Sequence, residues 1–152
     1  MKITITGGSG FLGSHVADEL SKKGHRVKIF DKKKSKWLKS DQEMHVGDIL
    51  NYKKLEAAIK GSDVVYHFAA LADIDESLAK PIKSVNYNIL GTVYALELSK
   101  KYKIKRFIHA STIYVLSEDG SFYRCSKKAA EDYVEEYSNI FNLNYTILRF
   151  GS

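Results

Sequence analysis

Apolar residues recur along the chain in two alternating rhythms. Lys2 to Thr6 alternates as a strand does, and Phe11, Leu12, Val16, Ala17 and Leu20 then fall at helical spacing until Gly24 closes the run. The exchange repeats. Arg26 to Asp31 reads as a second strand, Met44 to Val46 as a short third, and Leu55, Ala58 and Ile59 as the inner face of a helix ended by Gly61. Val64 to Phe68 reads as the fourth strand. After a loop through Pro81, the pattern predicts a helix from about Asn88 to Tyr102 and a fifth strand over Arg106 to Ala110. A long helix over Tyr123 to Phe141 and a sixth strand over Asn144 to Phe150 follow. Strands that alternate with helices predict an α/β fold, a doubly wound parallel sheet with helices on both faces, because parallel neighbours need crossovers. The ligand crevice of such a sheet lies at the carboxyl ends of its strands.

Composition narrows the class. With 152 residues, 44% hydrophobic and 28% charged, the chain has the content of one globular domain and excludes a disordered segment or a coiled coil. No repeat, low-complexity tract or internal linker interrupts it. The apolar stretch near Ala69 to Ala72 is far short of the roughly 20 residues a membrane span needs, so no membrane association is expected. One cysteine cannot form an intramolecular disulfide, and no charged-then-apolar leader opens the chain; both point to a cytoplasmic protein. The net charge of +6 raises nucleic acid as a partner. However, the lysines are spread out except for Lys32, Lys33, Lys34, Lys36 and Lys39, and no nucleic-acid-binding signature accompanies them. Solvated faces and a mobile basic loop account for the charge.

The chemistry starts at the first strand-to-helix turn, TGGSGFLG. Gly7, Gly10 and Gly13 are spaced GxxGxxG, where missing side chains let backbone N–H groups and the positive helix end approach a pyrophosphate. Taken alone, the pattern also fits a tight turn. Asp31 closes the second strand 18 residues after Gly13, near the spacing at which an acidic residue receives the adenosine ribose hydroxyls. An aspartate there repels a 2′-phosphate and favours NAD. The lysines that follow it leave NADP as the alternative.

These residues continue into a longer series. TGGSGFLG with Asp31, GDI at Gly47 to Ile49, HFAA at His67 to Ala70, NILGT at Asn88 to Thr92, AST at Ala110 to Thr112 and YRCSK at Tyr123 to Lys127 run in order along essentially the whole chain. The sequence resembles the extended short-chain dehydrogenase/reductase family and, more narrowly, its NAD-dependent nucleotide-sugar epimerases and dehydratases. The resemblance implies a Rossmann-type domain. It places Gly7, Gly10, Phe11, Leu12, Gly13, Asp31 and Lys32 with the cofactor's phosphates and adenosine, and Asp48 and Ile49 beside the adenine. Phe68, Ala69 and Ala70 match the strand end that lines the nicotinamide side. Asn88 matches the asparagine of the family's GT motif, although its place before an apolar run also suits a helix cap.

The catalytic residues implied are Thr112, Tyr123 and Lys127, with Tyr123 and Lys127 also touching the cofactor. Tyr123 and Lys127 are four apart and share a helix face. A phenol has a pKa near ~10, so its use as a base near neutral pH needs nearby positive charge. Thr112 is expected to bind the substrate oxygen, with Ser111 as the alternative hydroxyl. The resemblance further implies a nucleotide-sugar substrate and a homodimer built from the helices Asn88–Tyr102 and Tyr123–Phe141. It implies too that residues 1–152 are a NAD-binding domain, with the substrate domain of family members absent from this chain. A reductase of the same family, or a non-catalytic dinucleotide sensor, would carry the same motifs.

Other residues receive plainer readings. His15, His25, His45, His67 and His109 show no metal-ligand spacing, so no metal is expected. Cys125 lies roughly 200° around the helix from Tyr123 and packs rather than reacts. Trp37 and Leu38 receive no role. VLSEDGSF, between Thr112 and Tyr123, is shorter than the family's connection and has Leu116 and Ser117 where a tyrosine and glycine are common, so substrate specificity is not carried over.

Overall fold

The computed structural model describes residues 1–151. Strand β1 (Lys2–Thr6) leads into helix α1 (Phe11–Lys22) and returns as β2 (Arg26–Asp31); β3 (Gln42–Val46), α2 (Tyr52–Ile59) and β4 (Val64–His67) follow. Then come α3 (Ile74–Ala79), α4 (Pro81–Ser84), a π-helical stretch over Val85–Leu90, and α5 (Gly91–Lys101). β5 (Arg106–Thr112), a 3-10 turn (Ile113–Leu116), α6 (Ser121–Phe141) and β6 (Tyr145–Phe150) complete the order. All adjacent strands pair in parallel, in the order β3-β2-β1-β4-β5-β6. This is the expected doubly wound, Rossmann-type sheet. Winding reverses between β1 and β4, which opens a crevice above their carboxyl ends.

Successive strand residues supply opposite faces. Phe30, Val65 and Phe107 pack with Leu55, Ile59, Leu96 and Val134 of the α2, α5 and α6 layer. Ile5, Ile29 and Ile108 pack with Ala17 of α1 on the other side. Each such side chain contributes roughly 1.5–3 kcal/mol on burial, and together they hold the strand ends in register beneath the crevice. Among the described residues no helix is long and apolar enough to cross a membrane.

The expected loop through Pro81 is instead largely helical. Asp73 caps α3 by accepting the Glu76 N–H at 2.7 Å, and Pro81 opens α4 at the position where its missing N–H is harmless. These are local start signals in elements too short to show an apolar period. The expected helix at Asn88 therefore begins earlier, and Asn88 lies inside the π-helical stretch, not at a cap. Strand β5 runs on to Thr112, β3 starts two residues earlier than expected, and α6 starts at Ser121 after the left-handed Gly120 (φ 91°).

Candidate active site

At the first turn, backbone approaches backbone. Gly7 has φ +72°, and a Cβ there would lie 2.6 Å from the Ala69 nitrogen. A Cβ on Gly13 would lie 2.4 Å from the Gly7 carbonyl oxygen. Glycine at these two positions lets β1, α1 and the exit of β4 meet. Gly10 plays another part: it is the N-cap of α1, and no side chain folds back over the first turn. The first N–H groups of the helix, which have no acceptor within it, are left to a ligand.

Gly7, Gly10, Phe11, Leu12 and Gly13 form the middle of a cavity of about 750 Å³. Asp31, Lys32 and Ile49 line one end, Phe68, Ala69 and Ala70 the floor, and Thr112, Tyr123 and Lys127 the other end. Fourteen of the sixteen residues expected at the site thus share one space. The Asp31 carboxylate is already oriented: Oδ2 accepts the Ser9 N–H and Oδ1 the Lys33 N–H, each at 3.1 Å. The Ser9 hydroxyl donates to the Lys33 carbonyl at 2.7 Å, lacing the basic corner to the glycine loop.

Asp48 and Asn88 are the two that stand back from the wall. Asp48 reaches it through Tyr87, whose hydroxyl donates to Oδ2 at 2.7 Å while Lys32 Nζ sits 5.4 Å from the ring centroid. Asn88 is fully buried. Its Oδ1 accepts the Leu71 N–H at 2.7 Å, and its Nδ2 donates to the Leu71 carbonyl at 3.0 Å and to Ser126 Oγ at 2.9 Å. The Ser126 hydroxyl donates to the Tyr123 carbonyl at 2.8 Å. Asn88 thereby ties the loop after β4 to the helix that carries Tyr123.

Beneath the floor runs an ordered chain of hydrogen bonds. The Ala69 N–H donates to Thr6 Oγ1 at 3.3 Å, and Thr6 Oγ1 meets His67 Nδ1 at 2.9 Å. His67 Nε2 meets Thr92 Oγ1 at 3.0 Å, and the Thr92 hydroxyl donates to the Asn88 carbonyl at 2.7 Å. Because the Thr92 proton is committed there, His67 must carry its own proton on Nε2 and accept from Thr6. Burial, and secondarily the Lys127 charge, push its pKa down to about 3. His109 stacks on His67 at 5.7 Å; burial likewise holds it neutral, and neither ring nitrogen has a partner among the described residues.

At the chemical end, burial raises the Tyr123 phenol, a hydrogen bond with the Thr112 hydroxyl works against that, and Tyr114 adds to the rise. Lys127 is 4% exposed, and burial pulls it down to about 8 while Glu131 opposes. The phenol accordingly keeps its proton until more positive charge arrives beside it. The buried Ser111 hydroxyl lies towards Glu131 and also lines the cavity, so both candidate hydroxyls are present. An N-terminus bare of side-chain caps, an oriented Asp31 and a buried ammonium on the wall of the same cavity together fit a nicotinamide dinucleotide. Sequence reasoning missed Tyr87, Tyr114 and Phe150 on the wall. Phe150 closes the sixth strand, and the carboxyl ends of the strands face the crevice, which is the signal that would have found it.

Residues 3–152 match the model of a family described as NAD dependent epimerase/dehydratase. A dTDP-D-glucose 4,6-dehydratase of Dictyostelium discoideum is 34% identical over 97% of this chain and 43% of its own length. Among solved structures, a UDP-glucose 4-epimerase of Thermotoga maritima with UDP-glucose superposes with a TM-score of 0.91 at 30% identity, covering 98% of this chain and 55% of that one. A Thermus thermophilus UDP-glucose 4-epimerase in complex with NAD gives 0.90 at 28% identity, covering 98% and 54%. The chain spans about half the length of these relatives. The dehydratase alignment extends over 185 positions against a chain of 152, so that relative carries segments this chain lacks.

Proposed function

Because the chain belongs to the NAD dependent epimerase/dehydratase family, we propose that it is the cofactor-binding part of an enzyme that alters a sugar carbon of a nucleotide sugar. The observation that carries this reading is the single cavity. It joins the N-terminus of α1 and Asp31 to Thr112, Tyr123 and Lys127. In that arrangement Asp31 receives the adenosine ribose hydroxyls, the first turn of α1 receives the pyrophosphate, and Lys127 holds the nicotinamide ribose. The Asp31 carboxylate, fixed by two backbone donors, meets a 2′-phosphate with like charge and so favours NAD over NADP.

A nicotinamide dinucleotide supplies a hydride acceptor when oxidised and a hydride donor when reduced. Tyr123 takes the proton of the sugar hydroxyl as the carbon beneath it gives up hydride, and returns the proton in the reverse step. Thr112 fixes the substrate oxygen beside the phenol. The field of Lys127 and the bound cofactor's positive ring oppose the burial that keeps Tyr123 protonated.

Phe11, which lines the cavity and is 85% exposed, and Leu116, 72% exposed at the end of the turn after β5, suit coverage by a substrate-binding domain of the kind the longer relatives have room for. Exposed Tyr133, Ile140 and Phe141 on α6 suit a second copy of the chain. Calorimetry with NAD and NADP tests the reading: NAD should bind tighter, and Lys127→Met should bind it at least tenfold more weakly than the native chain. Equal or tighter binding of NADP would reverse the cofactor assignment. Only monomer in ultracentrifugation at high micromolar concentration would remove the dimer.

A further inference from the structure

Tyr123, Lys127 and Glu131 are spaced four apart on α6 and lie along one stripe. The first two line the cavity; Glu131 sits one turn behind them, 4% exposed. Arg149 of β6 holds both its oxygens, with Nε 3.0 Å from Oε1 and Nη2 2.7 Å from Oε2. Arg149 is also the sheet partner of Ser111, next to Thr112. The buried carboxylate therefore lies between two cations. The guanidinium keeps access to water, with a side chain 40% exposed, whereas the ammonium has no hydrogen-bonded partner among the described residues.

We propose that Glu131 and Arg149 are positioning residues for Lys127: Glu131 sustains the ammonium charge in its buried place, and Arg149, by taking both oxygens, leaves that ammonium open to the cavity. The use of the charge for cofactor binding rests on the reading of Lys127 given above. The other groups around Lys127 are consistent with this division. His67 from β4 and His109 from β5 are neutral and buried, and Tyr123 on the same helix is protonated. Helix α3, packed on α6, brings Asp75 and Glu76, the latter paired with Lys80 and with Lys83 of α4. Helix α5 brings Glu97, held by Lys100 and the Tyr137 hydroxyl. Glu135, further along α6, acts on Arg149. Among the described residues, Glu131 is the ionised group that works to keep Lys127 charged against burial.

The test is a titration of Lys127 in the full chain, using carbon-13-labelled lysine and NMR, with Lys127→Met identifying its resonance. The native midpoint should lie near 8. Glu131→Gln should lower it by about one pH unit, since an opposite charge within a few ångströms shifts a titration by about 1–3 units. Arg149→Gln should raise it, because the carboxylate then has Lys127 alone, and Arg149→Lys should stay near native. Shifts in the same direction, or none, overturn the proposal. If Glu131→Gln fails to fold, the sign of the Arg149→Gln shift decides. NAD affinity, measured across the same range with ADP as control, should fall as pH rises through each midpoint while ADP affinity stays level. A midpoint that moves as stated without moving NAD affinity would refute the ribose role of Lys127 and leave the charge-setting pair standing.

Discussion

Replacing Lys127 by methionine should make the protein more stable at neutral pH while removing its grip on the cofactor. Lys127 is buried without a hydrogen-bonded partner among the described residues, and its pKa falls from 10.5 to about 8. At about 1.36 kcal/mol per unit, carrying the proton at pH 7 costs the folded state about 3 kcal/mol relative to the unfolded chain. Because the folded pKa is lowered, the penalty is complete below about pH 8 and fades as pH rises towards 10.5. In that window the unfolded chain holds the proton and the native state has shed it, so stability rises with pH. Methionine keeps the apolar stem and drops the charge. Urea denaturation of both proteins, followed by circular dichroism, should show the variant ahead by about 3 kcal/mol at pH 7 and by less than about 1 kcal/mol at pH 10. Comparing the two proteins cancels every group that titrates independently of Lys127. A variant less stable than the native chain at pH 7, or a gap unchanged at pH 10, would refute the reasoning.

Gly13→Ala should weaken NAD binding at least tenfold in calorimetry, since its Cβ falls 2.4 Å from the Gly7 oxygen, whereas Gly10→Ala, at 3.3 Å, should leave the melting temperature near native. Phe107→Ala should lower unfolding free energy by about 3–5 kcal/mol in denaturant titrations, because Phe107 is fully buried between β4 and α6 residues. Asn88→Leu should cost about 2–4 kcal/mol by the same measurement, taking away the side chain that satisfies both the Leu71 N–H and the Leu71 carbonyl.

The strands and the motifs were legible because each depends on local periodicity or spacing. Ile3 and Ile5 alternate with polar residues, and Gly7 to Gly13 sit where a strand must turn into a helix. The segment from Asp73 to Leu90 was not, because its helices are short and its buried groups, Ser77, Ser84 and Asn88, are polar. Burial there is organised by hydrogen bonds to Leu71 and Ser126, which are distant in sequence. Asp48 is a similar case. Its motif is local, but its route to the cavity passes through Tyr87, 39 residues on. The partnership of Glu131 with Arg149 likewise exists only once β6 lies beside β5.

The close approach of Gly7 to Ala69 also bears on how such a cavity changes over generations or under a designer's hand. Where Gly7 and Gly13 meet the exit of β4 the wall is main chain against main chain, and any side chain added there has to push backbone aside, so viable sequences keep its shape. The facing side, with Tyr114 of the 3-10 turn and Phe150 at the end of β6, is made of replaceable side chains. New substrates are therefore to be sought by varying the second wall, with the first serving as the fixed reference against which each variation is gauged.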